Sequence, residues 1–136
     1  MDKYESKQVQ IHRPAATVFP AVSDFTNFTP MLRDHVEEWE ATPRTCSFRA
    51  QGFRMALEMV ECDPPKTVKV ASVDPSPVQF TFWLQLHESA PDDTRMHLVL
   101  HAELPMMVKM MIGGKIRQAL DQVAEKIAES FNNLPM

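Results

Sequence analysis

Three of the five histidines, His87, His97 and His101, fall in one stretch, LQLHESAPDDTRMHLVLHAEL. Imidazole binds metals and carries protons near neutral pH, so chemistry is sought here first. Alternation places all three on the strand face opposite Leu86, Leu98 and Leu100. A hairpin that sets Leu86 across from Leu98 brings His87 across from His97, a conceivable two-histidine metal site, and sets Trp83 across from His101. His97 and His101 are four apart on one strand, about 13 Å by strand rise, too far to chelate one ion. A polar outer face, which antiparallel sheets commonly carry, accounts for all three without a ligand. His12 and His35 stand alone near element ends. There is no HExxH, CxxC or carboxylate–histidine cluster, so neither a metal nor a cofactor is expected.

Other reactive groups are fewer. Cys46 falls on an inward strand face and Cys62 on an outward one, so they cannot pair. Two free thiols fit a reducing compartment. Ser72 is the one polar residue in an inward strand interior, and no base accompanies it. No nucleophile elbow, phosphate loop or dinucleotide fingerprint is present. No catalytic residue is therefore assigned.

The elements that position these groups are legible from pattern. Tyr4 to His12 alternates and reads as a strand with Val9 and Ile11 on one face. Pro14 suits the start of a helix carrying Val18, Phe19, Val22 and Phe25, with Pro20 bending or shortening it. A second short helix is expected over 27–34, with Thr29 as cap and Pro30 first. Strands then follow in hairpin succession. The two-residue turn Gln51-Gly52 sets Ala50 opposite Phe53, Phe48 opposite Met55 and Cys46 opposite Leu57. Pairing across Asp63-Pro64-Pro65-Lys66 sets Met59 opposite Val70 and Leu57 opposite Ser72. Further turns are expected at Asp74-Pro75-Ser76-Pro77 and at Ala90-Pro91-Asp92-Asp93. Val108, Ile112, Ile116, Ala119, Leu120, Val123, Ile127 and Phe131 repeat at three and four, which predicts a terminal amphipathic helix of roughly 25 residues.

The bulk numbers bound the class. The chain has 136 residues, 44% hydrophobic and 24% charged, which suits one globular domain, 1–136. A net charge of −4 argues against a nucleic-acid partner, which needs surplus cations. The start MDKYESKQ has no apolar leader, and no apolar run is long enough to span a bilayer, so the expected location is the cytoplasm. The acidic stretch over 34–40 reads as a solvated face, while Trp39 and Trp83, if exposed, mark candidate interfaces.

The order strand, two short helices, six strands and one long helix resembles the helix-grip fold of the START-like (SRPBCC) superfamily. That superfamily includes the birch pollen allergen, START domains and polyketide cyclase-like proteins. VQIHRPAATVFPAVSDF is similar to its opening strand, proline and Val-Phe-x-x-Val-x-Asp helix, here Val18, Phe19, Val22 and Asp24. Pro20 departs from that pattern. The Asp-Pro-Pro turn and the amphipathic terminal helix also fit. The resemblance implies an α+β fold, a seven-stranded curved antiparallel sheet wrapped around the C-terminal helix. It also implies a cavity between them, of the kind that relatives use for lipids, sterols or polyketides.

Within that frame the expected ligand-binding residues are Phe25, Phe28, Met31 and Leu32 at one end. Phe48, Met55, Leu57, Met59, Phe82 and Leu98 are expected on the sheet, and Met107, Met111 and Ile116 on the helix. Gly113 and Gly114 follow a methionine-rich turn, which suggests that 106–114 forms a deformable lid over the cavity. Binding of a small apolar molecule is the leading reading. A cyclase or aromatase acting in the same cavity, and a filled core working through a protein partner, are the alternatives. The pattern names no particular ligand and no oligomeric state.

Overall fold

A computed structural model describes residues 2–50, 52–74 and 78–133. The expected turn at Asp74-Pro75-Ser76-Pro77 lies largely outside the described residues, as does Gln51. The chain runs β1 (Asp2–Glu5), β2 (Val9–Ile11), α1 (Ala15–Val22), a 3-10 helix (Phe25–Phe28) and α2 (Thr29–Leu32). It continues through β3 (Glu37–Ala41), β4 (Thr45–Ala50), β5 (Phe53–Asp63), β6 (Thr67–Val73), β7 (Phe80–Ala90) and β8 (Asp93–Ala102) to α3 (Met106–Asn132). The strands form one antiparallel sheet in the order β1-β8-β7-β6-β5-β4-β3, with β2 also on β8. This is the helix-grip arrangement.

The opening strand is interrupted. β1 and β2 both pair with β8, and Ser6 bridges the gap between them. Its backbone N–H donates to the Leu98 carbonyl, and its hydroxyl accepts from the Leu98 N–H, both at 2.9 Å. A buried serine thus stands in for a missing ladder bond, which a buried backbone donor requires.

α1 buries Val18, Phe19 and Val22, while Pro20 occupies its exposed side in the last turn. Asp24 caps the 3-10 helix: its carboxylate accepts from the Thr26 N–H at 2.9 Å and the Thr26 hydroxyl at 2.6 Å. The β4–β5 register pairs Phe48 with Met55 and Cys46 with Leu57, and β5–β6 pairs Met59 with Val70 and Leu57 with Ser72, as patterning predicts. Gly52 takes φ +81° in the β4–β5 turn, a conformation few side chains accept.

Two registers differ from expectation. In the β7–β8 hairpin Leu84, not Leu86, faces Leu98. The strands run on past the expected four-residue loop until Ala90 pairs with Asp93, with an irregularity after Glu88. In β5 the register shifts between Met59 and Glu61. That bulge brings Cys62 onto the core side, opposite Val68, instead of outward. Both cysteines are free.

α3 lies against β1, β2 and β8. Its second half is anchored. Leu120, Ala124, Ile127 and Ala128 are buried. Asp121 accepts the Lys7 backbone N–H at 2.6 Å, and Asn132 accepts from the His12 N–H at 2.8 Å while donating to the Gln10 carbonyl at 3.0 Å. Lys7 also pairs with Glu125. In its first half Val108, Gly113 and Ile116 are half-buried, Ile116 against the core, and Lys109 reaches Asp2 at 2.7 Å.

Candidate ligand-binding site

Alternation in β3 to β7 places one row of apolar side chains on the concave face of the sheet. Because α3 leans toward the β1–β8 edge, this face is not filled by the helix. An apolar cavity of about 230 Å³ remains. Its end wall is Val22, Phe25, Phe28, Met31 and Leu32 from α1, the 3-10 helix and α2. Its sheet wall is Trp39, Cys46, Phe48, Leu57, Met59, Val68, Val70, Phe80, Phe82 and Leu84, and its helical wall is Val123 and Ile127.

Little in that lining is able to do acid–base chemistry. The Cys46 thiol is the one titratable group on the wall, and burial pushes it up to about 12. It stays protonated at neutral pH, so it is a poor nucleophile. The Trp39 indole N–H is occupied by the Thr29 hydroxyl at 2.8 Å, and its ring stands 6.1 Å from that of Phe48. The Ser72 hydroxyl accepts the Phe80 backbone N–H at 2.9 Å. On the solvent side of the end wall lies an open groove of about 810 Å³. Val22, Phe28, Met31 and Ile127 line both spaces and form the partition between them. The groove, unlike the cavity, carries His35, Lys126 and Glu129.

Residues 5–128 match the family described as polyketide cyclase / dehydrase and lipid transport. The chain belongs to this family, within the START-like superfamily. Norcoclaurine synthase from Thalictrum flavum, solved in complex with dopamine and hydroxybenzaldehyde, superposes on this START-like chain with a TM-score of 0.76 at 10% identity. The match covers 99% of this chain and 89% of that one. A protein from Mesorhizobium loti gives 0.74 at 14% identity, covering 99% and 100%. A START superfamily protein from Mycobacterium smegmatis gives 0.62 at 17%, covering 92% and 98%. Identities this low speak to the shared fold. No curated protein matches.

In this START-like chain eight of the expected ligand residues line the cavity: Phe25, Phe28, Met31, Leu32, Phe48, Leu57, Met59 and Phe82. Five stand elsewhere. Leu98 is wholly buried in β8, Met55 is half-buried nearer the β4–β5 turn, and Ile116 packs against the core. Met107 and Met111 are exposed, and the cavity's helical wall begins at Val123, so the methionine-rich turn is not its lid. The tilt of α3 toward β1, β2 and β8 is the reason.

Pattern reading also missed residues. Trp39 was expected at the surface. A register shift between Glu37 and Glu40, with Glu38 at φ 54°, accompanies its inward placement. Val123 and Ile127 were on the apolar stripe of α3, but periodicity does not say which turn of a stripe meets a gap. The expected pair of histidines is not formed: His87 faces Arg95, His97 faces Gln85 and His101 faces Thr81. Trp83 is half-buried instead of exposed, with the His101 ring 4.7 Å away and Lys69 5.7 Å above it. Among the described residues no group of three His, Cys, Asp or Glu is placed to hold a metal. No helix among them is long and apolar enough to cross a membrane.

Proposed function

We propose that this chain binds and carries a small apolar molecule in the cavity between the sheet, the short helices and the second half of α3. The observation that carries the reading is the lining itself: a hollow of about 230 Å³ walled by Phe, Trp, Met, Val, Leu and Ile, with one protonated thiol. Binding there is driven by removal of apolar surface from water. The size narrows the ligand. At ~30 Å³ for each water-sized group the cavity takes roughly eight, below the 300–1,000 Å³ common for drug-sized ligands. It therefore suits a compact ring or short chain. Movement of Phe28 and Met31 would join the cavity to the groove and make room for a longer lipid or polyketide.

A cyclase acting in this cavity needs proton carriers at its wall. His35, Lys126 and Glu129 lie across the partition, which favours the carrier reading. A core filled by its own side chains fits poorly with the hollow. A net charge of −4 disfavours nucleic acid, and the free thiols support a cytoplasmic setting.

Fluorescence displacement of ANS tests the proposal. Compact aromatics and short-chain fatty acids are expected to displace the dye, and native mass spectrometry should find such a molecule retained. No displacement across a panel that also includes long-chain lipids would overturn it.

A further inference from the structure

Among the described residues eight large apolar side chains are exposed, and five of them sit together at the start of α3. They are Met106 at 75%, Met107 at 76%, Met110 at 80%, Met111 at 71% and Ile112 at 40%. At ~100° per residue the four methionines share one arc of about 140° on the helix. Gly113 and Lys109 flank this arc beside Met106 and tie that edge to the sheet: a side-chain carbon at Gly113 would come within 3.5 Å of the Tyr4 hydroxyl, and Lys109 is held by Asp2. The methionine arc is open to solvent, and none of its residues lines the cavity.

The charge around it is sorted. Lys109, Lys115 and Arg117 fall within 104–120, and all 18 carboxylate side chains of the chain lie outside that segment. Lys115 and Arg117 are exposed on the turn after the methionines, Arg117 in line with their arc and Lys115 about 40° beyond it. With Lys109 paired to Asp2, Lys115 and Arg117 are the cations beside this apolar face of an otherwise acidic protein. A second copy would set these cations against one another, which disfavours self-association through this face.

We propose that the first half of α3 is a docking face for an anionic lipid surface. The helix lies in the plane of the interface, as amphipathic helices do. The methionines enter the boundary between head groups and acyl chains, where their unbranched side chains adapt to irregular packing. Lys115 and Arg117 meet the lipid phosphates. This surface is independent of the cavity and stands whether or not the cavity holds a ligand.

Co-sedimentation of the full chain with vesicles of phosphatidylcholine alone, or mixed with phosphatidylglycerol, tests it. Binding is expected to the mixed vesicles, with a loss at high salt. The pair Lys115→Gln and Arg117→Gln should weaken it about thirtyfold, at roughly fivefold per cation. The pair Met107→Ser and Met111→Ser should weaken it at least ~10-fold. Both pairs are exposed, so an unchanged melting temperature and unchanged ANS displacement separate loss of docking from loss of fold or of the cavity. Failure to bind mixed vesicles, binding that neither pair alters, or a dimer abolished by the methionine pair in a protein that ignores vesicles would each overturn the proposal.

Discussion

Replacing Val123 by phenylalanine places a larger side chain where the cavity is open to α3. At ~24 cal/mol per Å³, filling a void of about 230 Å³ is worth at most roughly 5 kcal/mol of packing. If the added carbons fill about a quarter of that volume, the gain is about 1 kcal/mol. For a chain of this length that is a rise in melting temperature of about 4 °C. The same ring removes space that an apolar ligand needs. A ligand at one hundred times its Kd stabilises the native protein by about 2.7 kcal/mol, or about 10 °C here. The assay is thermal unfolding with and without the best displacer of ANS. Val123→Phe should melt higher than the parent without ligand and respond to ligand far less. A variant that keeps the full ligand shift would show that the ligand binds elsewhere. A variant that melts lower by several degrees would show that the void is not available to a side chain, since overpacking costs about 1–3 kcal/mol.

Gly113→Ala and Gly114→Ala should each stabilise the protein by up to about 1 kcal/mol, read by denaturant titration. Both are helical, and the new carbon meets ordinary contacts with Tyr4 and Lys109 at 113 and open space at 114. Native alkylation at pH 8 should label Cys62 well before Cys46, because Cys46 is buried and its thiol is held up to about 12; mass spectrometry of a time course reads the order. Trp39 lines the cavity, so ligand should change tryptophan emission in the parent and far less in Trp39→Phe. Arg95 grips Asp93 through two hydrogen bonds, at 2.9 and 3.1 Å, and holds its carboxyl below the ordinary 3.8. That contribution is complete above pH 3.8 and is lost as pH falls through the lowered value. Asp93→Asn should therefore flatten the acid limb of a stability-versus-pH curve.

The fold was readable where turn chemistry pins a register. Gln51-Gly52 allows a two-residue connection, and the β4–β5 partners follow from it. The Ala90 to Asp93 stretch offers several turn lengths. The structure chooses a tighter one, and Leu84 replaces Leu86 opposite Leu98. A slip of two residues leaves each side chain on its predicted face, so hydrophobic alternation cannot detect it. Bulges are harder still. One residue inserted near Val60 turns Cys62 toward the core, and the shift near Glu38 accompanies the inward turn of Trp39. Half of the candidate site was legible as an apolar face. Its helical wall was not, because the periodicity of α3 runs unbroken from Val108 to Phe131 while only Val123 and Ile127 meet the cavity. Which turns of a stripe meet a cavity depends on the tilt of the helix across the sheet, a long-range property with no local code.

The two ends of α3 are held very differently. Asp121 and Asn132 hydrogen-bond the backbone of the Lys7 to His12 segment, whereas the turns before the glycine pair have few such ties. The pair sits at the junction, and each glycine there weakens the helix by about 1 kcal/mol relative to alanine. A bend in α3 is expected there first, short of Val123 and Ile127. On the proposed reading, filling of the cavity and contact with a lipid surface are therefore separate events along a single helix.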